Sequence, residues 1–366
     1  MPKEKLFQLA LTLVPGLGDI LVKTIISYIG SAQQVFKTPL NKLTKVPGIG
    51  MSTAKAIKKF NLSKAETELE RLIAKDVKLH FYTDRSYPKR LKNIYDAPAL
   101  IYFSGQADLN HNKILAIVGT RNATNQGKAF VKEFVRDLSS QNIIIVSGLA
   151  YGIDIEAHKA ALQYNIPTIG VIASGLDIIY PQVHTKYANR MIQNGGLLTE
   201  YPLNTSLDPA RFPARNRIIA GLADATVVVE AAKKGGALIT ADLASGYDRE
   251  VFAIPGRWDD EFSVGCNHII KNNMAQSITS AQDLEYYMQW TADEDPPVLN
   301  ISLDKEDFSS QEWNVISTIK ESGNDVHIDE LSWKSQIQIG QLASILLNLE
   351  FRGIVNSIAG KKYTLN

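Results

Sequence analysis

KILAIVGTR, residues Lys113 to Arg121, is a short, largely β-branched apolar run that ends in Gly-Thr-Arg. A strand with one wet face alternates apolar and polar residues; a run that is apolar throughout is covered on both faces. Five further runs of this kind follow: NIIIVSG (Asn142–Gly148), PTIGVIAS (Pro167–Ser174), GLLTEY (Gly196–Tyr201), ATVVVEA (Ala225–Ala231) and EVFAIPG (Glu250–Gly256). Helical patterns, such as Asn125–Ser140 and Ile153–Tyr164, lie between them. Buried strands alternating with helices predict a mostly parallel sheet between two helical layers.

The fold class expected is therefore α/β, a Rossmann-like doubly wound sheet over residues 79–290. Such sheets bind ligands outside the carboxyl ends of their strands. Several residues at those ends suit an anion. Gly119 and Arg121 follow the first run, Ser147 and Gly148 the second. Glycine lets a ligand approach backbone N–H groups, and arginine offers a planar fork to a phosphate. In KKGGALITADLA (Lys233–Ala244), Gly235 and Gly236 open a helix, which leaves free N–H groups at a helix start. The dinucleotide fingerprint is missing: the first strand exits as GTRNATNQG and the second ends without an acid. No cofactor is expected.

FPARNRIIAGLADATVVVEA (Phe212–Ala231) sets Arg215 and Arg217 at the lip of the core. Two residues apart, they cannot share one helix face, so both reach a ligand only from a helix start or an irregular turn. The other reading has one arginine pairing with a core carboxylate such as Glu200 or Glu230. Arg217, beside Ile218-Ile219, is the better candidate for that role. Asp154 and His158 are four apart on one helix face, a spacing open to a metal pair or an acid–base dyad. A structural reading outweighs it, with Asp154 near a helix N-terminus and His158 hydrogen-bonded beneath the loop. No second histidine cluster supports a metal.

The flanks differ in charge. Residues 1–80 hold thirteen Lys and Arg against six acids, a net +7, within a chain of net +1. This head repeats itself: LVPGLGDILVKTIISYIG and KVPGIGMSTAKAIKKF place Pro15-Gly16 and Pro47-Gly48 32 residues apart. Each unit is a helix end, a tight turn and an amphipathic helix, and resembles the helix-hairpin-helix motif. Residues 1–78 are expected to form a tandem helix-hairpin-helix (SAM-like) domain. Residues 291–303 are acidic with two prolines and read as a linker. Residues 304–366 show three helical patterns, Ser310–Glu321, His327–Ser332 and Gly340–Phe351. Two short strands around Ala359-Gly360 then complete a winged helix. Its net −3 makes phosphate binding there a poor candidate and protein contact the better one.

One cysteine, Cys266, excludes an intrachain disulfide framework. The first residues lack the pattern of a signal peptide, and no apolar run approaches a membrane span, so a cytoplasmic protein is expected.

Taken in order, GTR, SGLAYGIDIEAHKAAL, ASGLDIIYP, LLTEYP, FPARNRIIAGLADATVVVEA, GGALITADLA and the IPG…VGCNHII stretch resemble the DprA/Smf family of DNA-processing proteins. They cover most of residues 81–275. The resemblance implies single-stranded DNA binding without catalysis, a homodimer, and loading of RecA recombinase onto incoming DNA during natural transformation. On this sequence it implies contacts from Gly119, Arg121, Lys186, Phe212, Arg215, Asn216 and Arg217, with Ser147, Gly148, Gly235, Gly236 and Asn267 as additions. Family members often carry arginine where Tyr151 stands here; a tyrosine ring instead offers a face to a base. The segment QVHTKYANR departs from the usual acid-Asn pair, which makes Arg190 a competitor of Lys186. The rival reading is a nucleotide phosphoribohydrolase-like enzyme on a related sheet. That group carries PGGxGTxxE, whereas this chain reads KKGGALITADL, and Glu200 and Glu230 are the carboxylates left to act as a base.

Overall fold

A computed structural model describes residues 3–290, 308–322, 326–352, 354–358 and 362–365. The linker read over 291–303 and the turn at Ala359-Gly360 lie outside the described residues. The chain divides into two compact units at Ala292.

The first unit opens with α1 (Lys3–Thr12), α2 (Asp19–Ile29), α3 (Ala32–Lys37), α4 (Leu40–Leu43), α5 (Met51–Lys59) and α6 (Leu62–Ala74). The repeated turns share one backbone path. Gly16 and Gly48 take φ of 76° and 78°, a region that disfavours side chains, and Gly18 and Gly50 then stand extended before α2 and α5. The two copies are used differently. In the first, Asp19 accepts the Ala99 N–H at 2.8 Å and Lys23 donates to the Ala97 carbonyl at 2.5 Å, tying α2 to the body. In the second, Lys58 of α5 donates to the Phe36 carbonyl of α3 at 2.6 Å, within the head, while the turn glycines are exposed in both copies.

Nine strands form one sheet: β1 (Lys78–Phe81), β2 (Leu100–Gly105), β3 (Ile114–Val118), β4 (Ile144–Ser147), β5 (Thr168–Val171), β6 (Gly195–Thr199), β7 (Ala225–Val228), β8 (Glu250–Ala253) and β9 (Gln276–Ser277). Their order is β1-β2-β6-β5-β4-β3-β7-β8-β9. The pairs β1–β2 and β2–β6 are antiparallel and the rest parallel. All six predicted strands are the parallel block β3–β8. Within β3, Ile114, Ala116 and Val118 enter one core while Leu115 and Ile117 enter the other, which is why the run carries no polar residue.

Helices cover both faces. α8 (Asn125–Asp137), α9 (Ile153–Gln163) and α14 (Ala281–Met288) pack on one side; α7 (Lys89–Lys92), α11 (Arg211–Leu222), α12 (Gly236–Gly246) and α13 (Val264–Lys271) pack on the other. α10 (Thr185–Gln193) closes a smaller core with Leu149 and Leu197. The head is not a separate globule. Leu9, Leu11, Ile25, Leu43, Ile57 and Leu72 share one core with Phe81, Leu100, Tyr102 and Leu203. The boundary read at residue 78 thus falls inside a continuous core.

The second unit holds α15 (Ser310–Glu321), α16 (Ile328–Ser335) and α17 (Ile339–Phe351), with strands β10 (Val326–His327), β11 (Val355–Ile358) and β12 (Lys362–Leu365) in the antiparallel order β10-β12-β11. Ser309 and Glu312 form a capping box that fixes the start of α15. Val315, Ile319, Leu331, Leu342, Leu346 and Val355 make its core. Three helices and an antiparallel strand pair are the winged-helix arrangement.

Candidate nucleic-acid interface

β3 lies between β4 and β7, so the chain leaves it first to one side of the sheet and later to the other. The exits of β3 and β7 diverge there, at the crevice where a doubly wound sheet takes ligands. The Thr120 N–H donates to the Glu230 carbonyl at 2.7 Å and holds the two exits together. Gly152, at φ 77°, starts α9 against them; a Cβ there would collide with the Thr120 and Arg121 backbone.

A cavity of about 550 Å³ opens at this point. Gly119, Thr120 and Arg121 line it from β3, and Phe212, Arg215 and Asn216 from α11. Lys234, Gly235 and Gly236 line it from the turn into α12. No side chain caps α12, so its first N–H groups remain for an anion in the cavity. Asn216 donates to the Gly236 carbonyl at 3.2 Å and fixes that turn against α11. The Arg121 guanidinium is exposed and stands 5.7 Å from the Phe212 ring centre. Phe212 in turn meets Tyr180 edge-on at 5.8 Å.

Arg215 is the cavity's buried cation, 3% exposed. It donates to the Gly148 carbonyl at 2.6 Å and to the Val171 carbonyl, and its Nε has no partner. Asp154 lies beside it and accepts the Gly148 N–H at 3.2 Å. Burial pulls Arg215 down to about 10, which leaves it charged at neutral pH, and pushes the Asp154 carboxyl up against the opposing charge of Arg215. Gly148 has no room for a Cβ, which would strike both the guanidinium and the carboxylate. The Ser147 hydroxyl is buried and donates to the Ile117 carbonyl at 2.6 Å, so it braces the sheet. His158 Nδ1 meets the Thr168 hydroxyl at 2.7 Å; burial lowers its pKa to about 3 and keeps it neutral.

Arg217 does not line the cavity. Two positions along a helix turn a side chain by roughly 200°, and both arginines stand inside α11 rather than before it. Arg217 donates to the Asp96 carbonyl at 2.6 Å, pairs with Glu200, and lies 3.5 Å from Asp19 at the start of α2. The two arginines of one helix thus brace opposite sides of it. Lys186 also lies off the cavity, exposed on α10 with Nζ 4.9 Å from the Tyr187 ring centre. Asn267 bridges the Gly256 N–H and carbonyl at 3.2 and 2.9 Å, holding the loop after β8. Sequence reasoning missed Thr120, Tyr180 and Lys234; the last was legible as a charge directly before the Gly-Gly pair.

Glu230 holds Thr124, the residue that caps α8. Its carboxylate accepts the Thr124 N–H at 3.0 Å and the Thr124 hydroxyl at 2.5 Å. Glu200 is half-buried against Arg217 with its Oε1 unpartnered, and desolvation raises it to about 7. Since its folded value lies above the ordinary one, the stability it contributes is full below about pH 4.5 and lost as pH rises to about 7. The Glu200→Gln variant should therefore gain stability over the wild type progressively between those pH values and then level off. Urea titrations at several pH values check this; a constant difference across the window would refute it.

A family model described as DNA recombination-mediator protein A matches residues 78–289. The chain belongs to that family. A second model, the DprA winged helix domain, matches residues 315–361. Among relatives of the DNA recombination-mediator protein A family, the DNA processing protein DprA of Streptococcus pneumoniae is 42% identical over 55% of this chain and 71% of its own. Protein Smf of Synechocystis is 29% identical over 98% of both chains. The X-ray structure of the pneumococcal protein superposes with a TM-score of 0.68 at 32% identity, covering 78% of this chain and 98% of that one. A structure of DNA processing protein A from Helicobacter pylori, described for its single-stranded DNA binding mode, gives 0.53 at 30% identity, covering 58% and 95%. Among the described residues, no helix is long and apolar enough to cross a membrane, and no group of three or more His, Cys, Asp or Glu could hold a metal.

Proposed function

We propose that this protein binds single-stranded DNA in the cavity between the exits of β3 and β7, and that it does so without catalysing a reaction. The observation that carries the reading is the convergence there of Arg121, Arg215 and Lys234 with an uncapped helix start and the Phe212 and Tyr180 rings. Single-strand binding needs charge that follows the backbone and faces on which bases stack. The relatives named for DNA processing and the Helicobacter structure support the same reading. The non-catalytic part is supported by the two carboxylates at the strand ends: Glu230 is committed to Thr124, the residue that caps α8, and Glu200 to Arg217. The resemblance to the family extends the proposal to protection of incoming DNA, RecA loading and a homodimer.

Binding of a fluorescent oligothymidylate, titrated across salt concentrations, tests this. Arg121→Ala should weaken binding roughly tenfold on every sequence alike and lower the salt slope by about 0.7. An unchanged affinity and slope would remove Arg121 from the interface. RecA filament assembly on the protein-coated strand tests the loading step.

A further inference from the structure

A second groove lies on the head, about 550 Å³ in volume, floored by Leu13, Pro15, Phe60, Pro202 and Leu203. Lys59 and Lys64 stand exposed on its walls. Its one lining acid is Glu68, whose Oε1 accepts the Leu203 N–H at 2.8 Å and whose carboxyl burial pushes above the ordinary range. The surrounding chain is one-signed: residues 20–65 contain eight lysines and no acid, and acidic charge returns only at Glu66. An apolar floor beneath two exposed ammonium groups suits bases below and phosphates above.

A short run of neighbouring residues leads from the groove to the cavity. Arg211 and Phe212 are neighbours at the start of α11. Phe212 lines the cavity, while the Arg211 guanidinium stands 5.0 Å from the Tyr201 ring centre. Tyr201 directly precedes Pro202 and Leu203 of the groove floor. We propose that the groove of Lys59 and Lys64 holds the continuation of the single DNA strand leaving the cavity, with Arg211 and Tyr201 on the path between them. This rests on the reading of the cavity as a single-strand site. The head then lengthens the binding track, and the basic excess of residues 1–80 serves that extension.

The test uses the full chain and two oligothymidylates, one of about six nucleotides that fills the cavity and one of about thirty that reaches the head. The wild type should bind the long oligomer more tightly and with a steeper salt slope. The Lys59→Gln, Lys64→Gln double variant should lose roughly tenfold on the long oligomer and about 0.7 of slope per lysine, with the short oligomer unaffected. A Lys59→Arg, Lys64→Arg variant should behave as the wild type. Long-oligomer affinity that survives the glutamines overturns the proposal, as does an equal loss on both lengths. A wild type that binds the short oligomer and gains nothing from length overturns the proposal alone. A wild type that binds neither overturns the cavity reading as well.

Discussion

Arg215→Ala should lower the unfolding free energy by about 3–5 kcal/mol, the cost of leaving a buried charge without its partner. The substitution strands Asp154 behind Gly148 and removes the donor that serves the Gly148 and Val171 carbonyls. Urea denaturation measures the loss, and a change under about 1 kcal/mol would show that the guanidinium is dispensable to the fold. Arg215→Lys should rescue little, because a shorter-reaching, more strongly hydrated ammonium does not reproduce the buried guanidinium that donates to the Gly148 and Val171 carbonyls beside Asp154. Adding Asp154→Asn to Arg215→Ala should recover part of the loss, since it removes the uncompensated charge; full additivity of the two changes would mean that they do not interact.

Gly235→Asp should abolish single-strand binding, by at least roughly a hundredfold, while leaving the fold intact or slightly more stable. Nothing lies within 4 Å of where the new Cβ would stand, and the backbone there is extended, which any residue adopts. An aspartate at that position caps α12 with its own carboxylate and takes the N–H groups a phosphate would use. Stability and binding therefore move in opposite directions, which a general loss of structure cannot imitate. Oligothymidylate binding beside a thermal melt checks both; retained affinity would place the strand elsewhere.

Much of the sheet was legible because burial on both faces writes itself into a strand as unbroken apolar sequence. β3 to β8 were read for that reason. β9 is two residues long, and β1 alternates Lys78, Leu79, His80 and Phe81 over only four residues at the sheet's edge, so neither pattern is long enough to stand out. β2 is apolar enough, but its antiparallel place beside β6 depends on contacts distant in sequence. The site divides along similar lines. Strand exits and glycine turns are local, and Gly119, Arg121, Gly235 and Gly236 meet in one cavity. The direction of a long side chain is not local: Arg217 follows Glu200 and Asp96, which lie on other parts of the chain. Lys186 failed to reach the cavity for the same reason, being carried off on the exposed side of α10.

The repeated Pro-Gly turn in the head has a mechanical consequence. One copy became fastened to the sheet through Asp19 and Lys23, and its helices roof Phe81, Leu100 and Tyr102. Cutting these helices away would strip that roof from the edge of the sheet, so head and sheet stand or fall together. The second copy shares the load: Val46, Ile49 and Ile57 enter the same core, so neither turn can be removed without opening the space beneath Phe81 and Leu100.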